Sequence, residues 1–313
     1  MEMNRKEFLK SLAITGTAIA AGTLDNLNTF TVAADKDKPA DLVAVTGGEP
    51  AEMFQKAIAE LGGMGRFVKK GQEIVIKPNA AWDRTPKEAA NTNPDLMAEM
   101  VKQCLAAGAA KVIVFDSTCD RMENAYKNSG VEKAVKDAGG QMLPADNERY
   151  FTDVPLPKGI KLKSARIHKS LLECDAWINA PILKVHRGAK MTIAMKNCMG
   201  IVSKACQQSF HKIDLQQCIA DLCTWEKKPV LNVVDAYRIM KANGPKGLSE
   251  ADAVLVKSLL ASTDIVAVDT ASAKLAFQFT QVPLEEVGHI KAGQDHGLGT
   301  MNTDTLNVRR IRV

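Results

Sequence analysis

Lys184, His186, Arg187 and Lys190, followed by Lys196 and Asn197, crowd cations, an imidazole and an amide into one short stretch of the chain. Upstream, Lys77-Pro78-Asn79 sets another lysine and another amide directly after an apolar run. Lysine and arginine donors at this density suit an anionic ligand, a carboxylate or a phosphate. An imidazole flanked by Lys184 and Arg187 has its pKa depressed and stays neutral, ready to take a proton near pH 7. His186 and Lys184 are therefore the candidate catalytic pair. Lys77, Arg187 and Lys196 are the expected anion holders, Asn79 and Asn197 the orienting amides, and Asp235 or Asp269 a partner for a cation. Strand exits are often polar simply because loops are wet. A solvated basic loop, however, seldom continues directly into a run such as Met191-Thr192-Ile193-Ala194-Met195.

Other chemistry is weakly marked. None of the five histidines forms an H-E-x-x-H pair. Cys198 and His211 are weak metal candidates, and without a recognised ligand spacing a buried Cys198 and a surface His211 are the plainer expectation. No G-x-S-x-G nucleophile elbow occurs. The residues specify no cofactor.

These residues need a scaffold, and the sequence alternates strands with helices. Strands are expected at 41–45, 73–77, 111–115, 141–143, 175–179, 230–234 and 253–260, with an edge strand at 309–313. Helices are expected at 51–61, 94–107, 131–138, 213–224, 264–277 and 284–292. Asn93 caps the second helix, Pro94 opens it and Gly108 ends it. Such alternation implies a layered α/β fold, a mostly parallel sheet with helices on both faces. In open sheets of this kind ligands bind beyond the carboxyl ends of the strands. Lys77-Pro78-Asn79, Asp116, the 179–187 segment and Asp235 all stand at expected strand exits. The proline-rich segment 144–165 reads as an excursion or small insertion.

Lys77-Pro78-Asn79, Asn179-Ala180-Pro181-x2-Lys184-x-His186 and Met195-Lys196-Asn197-Cys198-Met199-Gly200 resemble the hallmarks of the family called domain of unknown function 362 (DUF362). Asn243-Gly244-Pro245 and Asp264-Ile265-Val266-Ala267-Val268-Asp269 also match its pattern, and the resemblance runs over nearly all of 41–300. The family implies no agreed activity. Many relatives carry a ferredoxin-like module with two four-iron clusters, but this chain lacks any C-x2-C-x2-C-x3-C run, so that cofactor is not carried over. The stretch Lys77–Phe115, with Arg84-Thr85-Pro86, is also distantly similar to the N-terminal domain of nickel-pincer lactate racemases, which hold a nickel organic cofactor.

The chain has 313 residues, 46% hydrophobic and 25% charged, which argues against disorder and collagen-like readings. Its net charge of +5 is mild and not gathered into a tract, giving no case for nucleic acid. Residues 1–34 read as an export signal: a basic head at Arg5-Lys6, an apolar stretch from Leu12 to Leu24 and Val32-Ala33-Ala34 before the cut. The head resembles a twin-arginine signal with Arg-Lys in place of Arg-Arg, and the apolar stretch is too short for a membrane span. Residues 35–313 form the expected folded domain, in a periplasmic or other extracytoplasmic compartment. Seven cysteines, an odd number without a C-x-x-C pair, fit core packing better than a metal or disulfide framework. Two functions fit these observations. One is an exported enzyme acting on a small anionic molecule. The other is a non-catalytic periplasmic ligand or cofactor carrier, or a metal-binding accessory to a redox partner.

Overall fold

The computed structural model describes residues 37–313, so the export segment anticipated at 1–34 lies outside the described residues. The chain runs β1 (Leu42–Thr46), α1 (Pro50–Glu60), β2 (Glu73–Pro78), α2 (Pro94–Ala106), β3 (Lys111–Val114), α3 (Met122–Asn128), α4 (Val131–Asp137) and β4 (Gln141–Met142). A hairpin of β5 (Phe151–Pro155) and β6 (Ser164–His168) follows, then α5 (Lys169–Glu173) and β7 (Ala176–Ala180). Next come β8 (Ile182–His186), β9 (Lys190–Thr192), α6 (Ala194–Asn197), α7 (Lys204–Ile213) and α8 (Leu215–Leu222). The chain closes with β10 (Leu231–Met240), β11 (Ala253–Ser262), α9 (Ile265–Thr280), α10 (Gly288–Asp295) and β12 (Val308–Arg312).

The main sheet is ordered β12-β1-β11-β10-β7-β2-β3-β4, with β8 pairing β10 and β9 pairing β8. Five strands, β10, β7, β2, β3 and β4, lie parallel in succession. β11 runs antiparallel to both of its neighbours. No helical crossover separates it from β10, only a loop with one 3-10 turn at Glu250–Asp252, and a parallel return needs a crossover. The fold is thus layered α/β with a mostly parallel sheet.

Strand periodicity divides the apolar residues between two cores. Val43, Val45, Ile74, Ile76, Val112 and Val114 face α1 and α2. Leu42, Ala44, Val75, Ile113 and Trp177 face the opposite layer, where α8 and α9 pack. Successive strand side chains point to opposite faces, so a strand buried on both sides reads as a continuous apolar run. α2 begins as the sequence predicts, with the Asp95 amide donating to Asn93 Oδ1 at 2.8 Å.

Several elements differ from the sequence expectation. The 179–187 segment, read as a polar strand exit, contains β8, which pairs with β9 just after it, Lys184 to Thr192 and His186 to Lys190. The helix expected at 213–224 is α8, which starts at Leu215 because Asp214 is extended (φ −171°) and caps it by accepting from the Gln217 amide at 3.2 Å. α7, absent from the sequence expectation, ends just before it at Ile213. The 144–165 excursion supplies β5, the whole connection and the start of β6, an antiparallel pair outside the main sheet. No helix among the described residues is long and apolar enough to cross a membrane.

Candidate functional site

β2, β3 and β8 end at one rim of the sheet, and α6 and the 3-10 turn Cys198–Ile201 close over them. Between these elements lies a cleft of about 570 Å³. Lys77, Asn79, Lys184, His186, Arg187, Lys196 and Asn197 all line it. Seven residues singled out in the sequence thus share one cavity. Trp82, Asp116, Ser117, Thr192, Gln207 and His211 complete much of the wall.

Period two places Lys184 and His186 on the same side of β8. Lys184 is 1% exposed and donates to Ala90 O at 2.5 Å and Asn79 Oδ1 at 3.3 Å. Its ammonium also stands 5.8 Å from the centre of the Trp82 ring. Burial, with further pressure from Lys196, lowers the Lys184 amine to about 7. His186 Nδ1 accepts from the Gly188 amide at 3.1 Å and the Ala189 amide at 2.9 Å, which places the ring hydrogen on Nε2. Burial, then Lys196 and Lys184, push His186 down to about 2. The ring is a neutral donor across the physiological range.

Beneath the cleft floor runs a chain of amides. Asn79 Nδ2 donates to Asn197 Oδ1 at 3.2 Å, and Asn197 Nδ2 donates to Asn179 Oδ1 at 2.8 Å. Asn179 Nδ2 in turn donates to Ala194 O at 2.9 Å and Asn232 Oδ1 at 3.1 Å. Asn79 and Asn197 therefore spend much of their hydrogen-bonding capacity fixing the site. Lys77, 1% exposed, donates to Asn197 Oδ1 at 3.0 Å and forms an ion pair with Asp116 at 2.8 Å. Asp116 Oδ2 accepts the Ala80 amide at 2.6 Å. Burial raises the Asp116 carboxyl, opposed by Lys77.

Lys196 differs from the other two lysines. It is partly exposed in the cleft, and its Nζ has no hydrogen-bond or ion-pair partner among the described residues. Burial lowers its amine to about 8. Arg187, on the rim, is likewise without a partner among the described residues. The buried hydroxyls Ser117 Oγ and Thr192 Oγ1 have none either. The wall thus offers two uncommitted cations, an Nε2–H and two hydroxyls, while its one carboxylate is already paired with Lys77.

Other sequence candidates stand elsewhere. Asp235 was expected at a strand exit, but β10 continues to Met240 and keeps it mid-strand. Its oxygens accept the Asn93 amide at 2.7 Å and the Tyr237 amide at 2.9 Å, so it ties α2 to the sheet. Asp269 is buried in α9 and accepts the Ala194 and Met195 amides at 2.7 and 3.0 Å, holding the start of α6. Lys190 points away to Glu286. His211 reaches the cleft, whereas Cys198 turns beneath α6 towards Ala194 O at 3.4 Å and lines a separate small cavity with Cys223 and Trp177. No group of three or more His, Cys, Asp or Glu among the described residues could hold a metal ion. Asp116 was expected at a strand exit but without a role, and the structure pairs it with Lys77. Trp82, Thr192 and Gln207 carry no local signal.

A thylakoid-associated protein of Synechocystis sp. is 25% identical over 222 residues, 67% of this chain and 64% of its own length. The chain therefore spans just under two thirds of that relative. The lactate racemase apoprotein from Thermoanaerobacterium thermosaccharolyticum has a TM-score of 0.43 at 16% identity, over 69% of this chain and 53% of that one. A structural-genomics protein from Thermotoga maritima has the same TM-score at 9% identity, over 75% and 60%. The model of the domain of unknown function DUF362 matches residues 74–274, a span that holds every cleft-lining residue, and the chain belongs to that family.

Proposed function

We propose that the protein binds a small carboxylate or phosphate in this cleft and transfers a proton on it. The observation that carries the reading is the pair of uncommitted cations, Lys196 and Arg187, beside a donor imidazole in a cavity whose carboxylate is already neutralised. Buried charge without a counter-ion is costly. An anion entering the cleft removes that cost for Lys196. Lys184, at about 7, is the proton carrier in this reading, and His186 supplies a hydrogen bond rather than a base.

The test is binding of inorganic phosphate and of pyruvate by thermal shift and calorimetry, against chloride at equal ionic strength. Stabilisation by at least one of the two is expected. Lys196→Met and Arg187→Met each remove a charge-assisted hydrogen bond, worth roughly 1.5–3 kcal/mol, so affinity falls about tenfold or more. Absence of any anion-specific shift refutes the reading. A metabolite screen with product analysis then separates the enzyme from the carrier: ligand recovered unchanged from every incubation favours a non-catalytic carrier. Export through residues 1–34 belongs to the same proposal. Cell fractionation checks it, with retention of an Arg5→Gln, Lys6→Gln variant in the cytoplasm as the expected result.

A further inference from the structure

Three lysines share the cleft, and their surroundings assign them different work. Lys77 is committed to Asp116 and Asn197. Lys184 is committed to Ala90 O and Asn79. Lys196 has no acceptor among the described residues, and it remains partly exposed on the side from which a ligand enters. A free amine, a neutral N–H donor and an uncommitted guanidinium around one cavity are the parts needed for addition of an amine to a carbonyl. We propose that Lys196 Nζ is a nucleophile that forms an imine with a small carbonyl compound carrying a carboxylate or a phosphate. The inference rests on the anion-cleft reading and names its substrate class.

In the first step the Nζ lone pair attacks the carbonyl carbon, and the C=O π electrons move to oxygen, which takes a proton. The resulting carbinolamine loses its hydroxyl as water, with the nitrogen giving up its protons, and a C=N bond to Lys196 replaces the C=O bond. One water leaves, and no oxidant or reductant is required. Arg187 holds the anionic group of the substrate. The Nε2–H of His186 hydrogen-bonds the carbonyl oxygen. The lowered Lys196 pKa supports the step, because a neutral amine is needed. At pH 7.5 an amine with a pKa of about 8 is neutral roughly 200 times more often than an ordinary lysine.

The full chain is incubated with pyruvate, glyoxylate or glyceraldehyde 3-phosphate and cyanoborohydride, and the reduced adduct is mapped by peptide mass spectrometry. Adduct on Lys196 forming at least about tenfold faster than on exposed lysines such as Lys133 is the expected result, with excess inorganic phosphate slowing it. Lys196→Arg loses that adduct. Labelling confined to Lys184, or spread evenly over surface lysines, overturns the assignment. The two proposals fail separately. Absence of the Lys196 adduct with phosphate binding intact removes the imine chemistry, whereas absence of phosphate and pyruvate binding removes the cleft reading itself.

Discussion

Gly200 closes the Lys-Asn-x-x-Gly block, and the structure gives a steric reason for it. A Cβ placed there would lie 2.0 Å from Asp116 Oδ1 and 2.3 Å from Lys77 Nζ. Its backbone conformation is not in the left-handed region, so space rather than torsion forbids a side chain. Neither neighbour can give way easily. Asp116 is held by the Ala80 amide, Lys77 by Asn197, and the Gly200 carbonyl itself accepts the Ser117 amide at 3.0 Å. Gly200→Ala must therefore part a buried ion pair or shift the turn that carries it. Overpacking costs about 1–3 kcal/mol, and disturbing a buried pair adds to that. A loss of about 3 kcal/mol corresponds to roughly 5–10 °C in melting temperature for a domain of this size. Gly65→Ala is the control: nothing lies within 4 Å of its added Cβ. Differential scanning calorimetry compares the two variants, and phosphate titration follows. Gly200→Ala melting together with Gly65→Ala, within the error of the scan, would refute the steric account of the motif.

Two carboxylates away from the cleft give further predictions. Burial raises Asp235 to about 6, against the opposing Tyr237 and Asn93 amides. A carboxyl whose folded pKa exceeds its unfolded one contributes stability at low pH that is lost as pH rises through the folded value. The wild type should therefore lose stability between about pH 4 and 6 relative to Asp235→Asn, by at most about 3 kcal/mol; chemical denaturation at both pH values measures it. Asp221 has the opposite sign. Burial acts to raise it, but the amides of Lys161 and Leu162 at 2.6 and 2.8 Å help hold it below the usual carboxylate range. Its contribution is present above about pH 4 and fades as pH falls through the folded value. Asp221→Ala leaves those two amides and His296, whose Nε2 lies 2.8 Å from the carboxylate, without their acceptor. About 2–5 kcal/mol should be lost at pH 7, with hydrogen exchange accelerated at Lys161 and Leu162.

Local chemistry made most of the sheet legible. Ile74-Val75-Ile76 announces a strand buried on both faces, and Asn93-Pro94 announces a helix start, without reference to the rest of the chain. The β8–β9 hairpin was hidden for a physical reason. Lys184 and His186 are polar because they line a cavity, and a strand carrying them beside Pro181 has the composition of a loop. Asp235 was misplaced by the converse error, since a polar residue inside β10 resembles the end of a strand until its two backbone donors are seen. Clustered cations at strand exits were readable, because every parallel strand ends on the same rim. Their division of labour was not. That Lys77 is paired, Lys184 satisfied and Lys196 free depends on Asp116, Asn79 and Ala90, residues distant in sequence.

That division implies a link between ligand and protons. With the Lys184 amine at about 7 and the Lys196 amine at about 8, both are largely or half neutral at pH 8 before an anion arrives. An anion within 4–6 Å raises a lysine pKa by roughly one unit or more. Shifts of one unit in each convert the pair towards ammonium, so binding at pH 8 should take up about one proton. The uptake should shrink at pH 6, where both amines are already charged. Calorimetry in Tris and in HEPES reads the quantity directly, since the apparent enthalpy changes with the ionisation enthalpy of the buffer in proportion to protons taken up. Pyruvate binding at pH 8 with the same enthalpy in both buffers would mean that the anion does not sit beside these amines. Uptake retained in Lys196→Met but lost in Lys184→Met would move the proton to Lys184. The reverse pattern would make Lys196 the group that changes charge on contact, leaving only its residual neutral fraction to attack a carbonyl.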